Sequence, residues 1–325
     1  MAMQVKVKRN AAADKVLIWA AFDDFVFEKE AANLSPKTIA NYRQSVGYFM
    51  DFHEYDADTA TDEVTASDFY EWQHTMLLEG VAPSSVNHYL RDCRTFFYWC
   101  MAEEREYITP AFKIKMVEGQ EEPLKMFEDE ELEALLEKPK RTEGFTAFRT
   151  WAIVSWVLAT GNRASTICDV KIGDINFKHK EISLRHTKNK KTQIVPLSSG
   201  LEAVIKEYIR VWRSEAGKDG WLFCNVGEEK LTTSALRQSF TKYCKDREVS
   251  RHNIHGLRHN FARGYIKSNG NMYGLKEILG HSTLEMTKKY VALFGSDFKE
   301  GFDNFSTLDI MKKSARRTKT VKRSE

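Results

Sequence analysis

Apolar residues recur at three- and four-residue intervals through most of this chain, a spacing that predicts helices. From about Asp14 to Glu104 the helical period alone accounts for the pattern. Ser35-Pro36 marks one helix start, with a serine hydroxyl to cap free amides and a proline pre-set for the first turn. Ile39, Tyr42, Val46, Phe49 and Met50 follow on one face. A second start falls at Pro83, where Val86, Leu90, Cys93, Phe97 and Met101 form an apolar stripe. Its opposite face carries Ser84, Asn87, Arg91 and Arg94, side chains suited to phosphates and base edges or to a solvated surface.

Between Lys113 and Pro123 the pattern lapses, and Gly119, Gln120, Glu121 and Glu122 read as a linker. A second region opens with a helix near Glu128 to Leu136 and an apolar helix near Thr150 to Leu158. Thr160-Gly161 then turns the chain. A three-strand section follows, with Ile182-Ser183-Leu184 and Gln193 to Leu197 forming a hairpin around Lys188-Asn189-Lys190. Further helices are predicted near Leu201 to Ser214, Thr233 to Arg247, His255 to Lys267 and Glu285 to Leu293. The expected fold is mainly α with a small antiparallel β-sheet. Its parts are a short basic extension (1–13), a helical domain (14–112), a linker (113–123), an α+β domain (124–296) and a tail (297–325).

With 325 residues, 42% hydrophobic, there is material for two cores. Net charge is only +3, but Lys188 to Lys191 and the tail beyond Lys312 gather basic residues, so basic surfaces hide in a modest total. The acidic cluster Glu128 to Glu131 sits at a predicted helix start, where the helix dipole explains it. Five cysteines without a C-x-x-C pair suggest buried thiols rather than disulfides or zinc. No apolar run approaches the ~20 residues that span a bilayer, so a cytoplasmic protein with no membrane partner is expected.

Four stretches carry candidate chemistry: Thr160-Gly161-Asn162-Arg163, the hairpin lysine, His255-Gly256-Leu257-Arg258-His259, and Leu279-Gly280-His281 with Tyr290. His255 and Arg258 share a helix face. Gly280 can end a helix, Ser282 and Glu285 have capping-box spacing for the next, and Tyr290 lies on that next helix. The order Arg163, Lys188, His255-x-x-Arg258, His281, Tyr290 resembles the tyrosine recombinase, or phage integrase, family from about residue 15 to 295. Ser35-Pro36-Lys37-Thr38 with Tyr42 also resembles that family's core-binding domain.

The resemblance implies an α+β tyrosine-recombinase catalytic domain behind a core-binding domain, closing as a clamp around duplex DNA. Tyr290 would be the nucleophile, Arg163 and Arg258 the phosphate clamps, Lys188 the general acid, and His255 and His281 would complete the site. Lys188 is chosen by counting back from Pro196; Lys190 and Lys191 are the neighbouring alternatives. DNA contacts are expected from Lys37, Thr38, Ser84, Asn87, Arg91 and Arg94. One departure stands out: where the family has an acidic residue bracing the first arginine, this chain has Thr166.

The chemistry is coherent in its own right. A phosphodiester needs charge neutralisation and an in-line attacker, and two guanidiniums hold non-bridging oxygens while staying charged. A phenol with a pKa near ~10 must be activated, and the departing 5′ oxygen needs a proton that a lysine supplies. No cofactor or metal is expected, because two arginines and a lysine do the work that metal ions do in other nucleases. The anticipated function is site-specific recombination through a 3′-phosphotyrosyl intermediate, for integration or excision of a mobile element. Expected partners are double-stranded DNA with paired core sites, a homo-tetramer and an accessory directionality factor. The alternatives are dimer resolution or inversion by the same chemistry, type IB topoisomerase-like relaxation, and an inactive DNA-binding regulator. In the tail, Phe298, Phe302, Phe305 and Leu308 recur at helical spacing before a basic end, which suggests docking on a neighbouring protomer.

Overall fold

The computed structural model describes residues 15–119, 125–185 and 192–294, and the chain divides into two compact units, 1–122 and 123–325. In the first, α1 (Ile18–Ala31), α2 (Pro36–Phe52), α3 (Ala66–Leu78) and α4 (Pro83–Cys100) enclose an aromatic core. Phe49 stacks on Phe69 at 4.4 Å and meets Phe97 edge-on at 5.1 Å, so rings from three helices interlock. The predicted cap is present, since the Ser35 hydroxyl accepts from the Thr38 amide at 3.2 Å.

The segment expected as linker differs from that expectation at its start. Ile114 is buried in the first core, and Met116 and Val117 pack against it. The Asn87 carboxamide bonds both backbone groups of Val117 at 2.8 Å, and Gln73 donates to the Lys115 carbonyl. Apolar side chains hidden inside a polar-looking stretch continue the domain past residue 112.

The second unit is built on α6 (Gly144–Thr160), buried from Phe148 through Val157. A helix buried all round shows no amphipathic stripe, which is why only its middle was legible and its start lies six residues earlier than expected. Against it pack α5 (Asp129–Leu136), α8 (Ser199–Trp212), α9 (Thr233–Lys245) and α10 (Ile254–Lys267). The short α7 (Ala164–Cys168) follows the turn after α6. The sheet is antiparallel in the order β1 (Ile175–Asn176), β2 (Glu181–Leu184), β3 (Gln193–Pro196), with Ile182 opposite Val195. Next come α11 (Met272–Leu279) and α12 (Glu285–Phe294). Asn260 mirrors Asn87: its carboxamide bonds both backbone groups of Phe127 at 2.9 and 2.7 Å, pinning the start of this unit. Among the described residues no helix is long and apolar enough to cross a membrane. All five cysteines are buried and free.

Candidate active site

The turn after α6 is fixed by its own side chains. Gly161 adopts a left-handed φ of 64°, and a Cβ there would stand 2.4 Å from Phe261 and 2.6 Å from Leu279. Trp156 donates its indole N–H to the Asn162 side chain at 2.9 Å, and the Asn162 backbone amide donates to the Thr160 hydroxyl at 3.3 Å. Arg163 is thereby delivered at the N-cap of α7, half-buried.

The second arginine is more deeply held. Arg258, on α10, is 2% exposed. Its guanidinium donates to the Gly161 carbonyl at 2.7 Å, to the Leu279 carbonyl at 3.0 Å and to His281 Nε2 at 2.8 Å. A guanidinium only donates, so Nε2 accepts and the His281 proton sits on Nδ1. That proton points to the buried Thr287 hydroxyl, 2.8 Å away. Thr287 thus selects the tautomer that lets His281 face Arg258.

Both arginines converge on the C-terminal end of α11. A helix end leaves its last carbonyls without intrahelical partners and carries partial negative charge. Here Leu279 accepts from both arginines, and Gly280 from Arg163, the Arg163 contacts being 3.4 Å. Gln193 on β3 donates to the Glu277 and Ile278 carbonyls, the latter at 2.8 Å. Helix-end dipoles therefore support Arg163 where Thr166 offers no carboxylate. Among the described residues neither arginine has an acidic partner in an ion pair, so two positive charges remain to be met by an anion.

Tyr290 is 5% exposed, its ring packed with Ala262, Leu275 and Leu279, yet its hydroxyl is in polar company. The hydroxyl lies 2.8 Å from His259 Nδ1, and the charges of Arg258 and Arg163 act on it. The ring stacks on His281, centroids 6.3 Å apart. Desolvation raises its pKa above the usual phenol value, opposed by Arg258 and Arg163. Desolvation, then Arg163, lowers Arg258 to about 10, which keeps it charged at neutral pH. His281 is pushed down to about 4 by desolvation, then by Arg258 and Arg163. His255, more open to solvent, moves the same way, by desolvation and then by His259 and the arginines.

Arg163, Arg258, His281 and Tyr290 thus come together, with His255 at the edge of the group. Lys188, with Lys190 and Lys191, lies outside the described residues. The expected capping box at Ser282 is absent: α12 starts at Glu285, Leu284 accepts its first amide bonds, and the Ser282 hydroxyl turns to the Met286 sulfur. His259, Thr287 and Gln193 were not singled out by the sequence; only His259 carried a signal, as the neighbour of Arg258.

In the first unit Lys37 and Ser84 are exposed in the opening turns of α2 and α4, where backbone amides favour anions. Thr38 is half-buried, with its hydroxyl 2.8 Å from that of Ser35. Arg91 is exposed, and Arg94 lies over the Tyr98 ring at 4.9 Å. Asn87 alone of these is committed elsewhere, to Val117.

Such an arrangement, two cations with a phenol and imidazoles around one point, is the equipment of a phosphoryl-transfer site that works through tyrosine. The chain belongs to the phage integrase family: that family's model matches residues 125–296, and the family's N-terminal SAM-like domain matches residues 22–104. It is a tyrosine recombinase. Similar proteins include the tyrosine recombinase XerD of Chlamydia trachomatis serovar D, 25% identical over 299 residues that cover 88% of this chain and 95% of that one. The tyrosine recombinase XerC of Thermodesulfovibrio yellowstonii is 25% identical, covering 79% and 85%. The fold is shared with the XerH site-specific recombinase bound to a palindromic difH substrate (TM-score 0.67, 20% identity, 85% of this chain and 82% of that one). It is also shared with the Tn1549 transposon integrase in complex with a circular intermediate DNA (TM-score 0.67, 18% identity, 85% and 95%).

Proposed function

We propose that this recombinase cuts and rejoins duplex DNA at paired core sites through a 3′-phosphotyrosyl link to Tyr290. The observation that carries the reading is the convergence of Arg163, Arg258 and His281 beside the Tyr290 hydroxyl. The scissile phosphate takes the place facing the two guanidiniums, which neutralise its non-bridging oxygens as charge builds in the transition state. Tyr290 Oη attacks phosphorus, the bond to the 5′ oxygen breaks, and Lys188 protonates that oxygen. A 5′ hydroxyl from the partner duplex reverses the step. The phosphotyrosyl bond retains the energy of the bond it replaced, so no nucleotide cofactor is required.

Lys37, Thr38, Ser84, Arg91 and Arg94 supply backbone contacts, which position the duplex without reading sequence. Strand exchange takes place in a homo-tetramer on two sites. The task assigned to this chemistry, from family membership, is integration and excision of a mobile element, with an accessory factor setting direction. The Phe-bearing tail holds the tetramer together, and deleting residues after Ser296 is expected to abolish synapsis while sparing single-site binding.

The test uses supercoiled plasmids carrying the DNA that flanks the reading frame on either side. Recombinant products that need both flanks, and that vanish with Tyr290→Phe while DNA binding persists, support the proposal. Relaxation of a single-site plasmid with no recombinants would assign a topoisomerase instead.

A further inference from the structure

We infer that His259, not His255 or His281, takes the proton from Tyr290 as its hydroxyl attacks. The inference rests on the reading of Tyr290 as the nucleophile and adds to it the identity of the base. The geometry at the hydroxyl leads there. His259 Nδ1 stands 2.8 Å from Tyr290 Oη, within reach of its proton. Arg258, whose charge acts on the same oxygen, presents only donors and cannot take that proton. With its own proton on Nε2, His259 is a neutral imidazole whose basic lone pair at Nδ1 is aimed at the phenol.

The other imidazoles are differently engaged. His281 accepts from Arg258 through Nε2 and faces Thr287 through Nδ1. It meets the Tyr290 ring by its face, with an interplanar angle of 6°. His255 stands edge-on to His259 at 4.8 Å and is open to solvent. The surroundings also suit a base. Desolvation, then Arg258, lowers the pKa of His259, and burial raises that of Tyr290. Among the described residues, the charged and titratable groups facing His259 are Arg258 and His255 on its own helix and Tyr290 on α12. Behind that ring is His281, and Arg163 from the α7 turn acts on the same phenol.

In the cleavage step the Oη–H bond breaks toward Nδ1 as the Oη–P bond forms and the P–O5′ bond breaks. The 5′ oxygen takes its proton from the general acid. In rejoining, the imidazolium returns its proton to Oη as phosphorus leaves it.

The test separates proton transfer from anchoring. His259→Asn puts an amide oxygen near the position of Nδ1, which keeps a hydrogen-bond acceptor and removes the base. Single-turnover cleavage of a nicked DNA site is measured from pH 5 to 9.5 for both proteins, with DNA binding as the control for folding. Loss of a general base lowers the rate by about 10²–10⁴-fold. The variant should also lose the wild-type fall in rate on the acid side of the imidazole pKa. Its rate should climb toward high pH, as hydroxide replaces the missing base. Unchanged cleavage by His259→Asn, with wild-type adduct formation intact, would make His259 a mere anchor and overturn the assignment. Failure of the wild type to form an adduct at Tyr290 would instead remove the functional reading beneath it.

Discussion

Arg163 and Arg258 are expected to share one chemical role while differing sharply in what they do for the fold. Arg258→Ala strands the Gly161 carbonyl and His281 Nε2, which now take bonds of 2.7 and 2.8 Å, and takes from the Leu279 carbonyl its 3.0 Å bond, leaving it the 3.4 Å contact from Arg163. Each buried group left without its partner costs about 1–3 kcal/mol. Part is returned because a guanidinium no longer has to be desolvated, an opposing contribution of several kcal/mol. The net expectation is about 2–4 kcal/mol, a large fraction of a typical ~5–15 kcal/mol total. Arg163 is half-buried, and its carbonyl contacts are 3.4 Å, so Arg163→Ala should cost under about 1 kcal/mol. Cleavage should fall in both, by about 10²–10³-fold for a lost transition-state donor. Urea titrations of the full chain, followed by circular dichroism and tryptophan fluorescence, measure the first quantity. Equal destabilisation of the two variants, or a greater loss in Arg163→Ala, would refute the reasoning that α11's end and the Gly161 turn are tied together through Arg258.

Three further outcomes follow from the same geometry. His281 holds its proton only below about 4 in the folded protein but near 6.5 when unfolded, so the unfolded chain binds more protons between those values. Stability should therefore fall as pH drops from 7 to 5, by up to ~1.4 kcal/mol per unit for this group, and less so in His281→Gln; stability indifferent to pH would contradict this. Gly161→Ala should lower both the melting temperature and cleavage, because its Cβ meets Phe261 and Leu279 and shifts the carbonyl that Arg258 grips. The control Gly264→Ala has open space on α10, and a stabilisation of about 0.5–1 kcal/mol is expected there. Strand cleavage should persist in chelator, since the charge neutralisation is assigned to arginine and lysine; activity lost in chelator and restored by a divalent ion would overturn that assignment.

Features that depend on neighbours in sequence were legible before the structure. Ser35-Pro36 and Pro83 announced helix starts, the sheet hairpin showed in alternation around Ile182, and the order Arg163, His255-x-x-Arg258, His281, Tyr290 outlined a site. Features that depend on the fold bringing distant groups together were not. Nothing in the spacing of Gln193 says that its amide reaches the end of a helix more than eighty residues later. Thr287 looks like any helical threonine until its hydroxyl is seen to fix the tautomer of His281. The polar face of α4 misled in one place, because Asn87 turns to the backbone of Val117 rather than outward. The spacing of Ser282 and Glu285 satisfied a capping rule that the chain does not use, because the helix begins two residues later.

The central claim concerns one oxygen atom, and a trapped intermediate tests it most directly. A DNA site nicked just beyond the scissile phosphate lets the short 5′ fragment diffuse away, so the covalent complex accumulates. Protease digestion and mass spectrometry should then find the 3′-phosphate on the peptide containing Tyr290. An adduct on any other residue, or cleavage with no protein attached, would contradict the account.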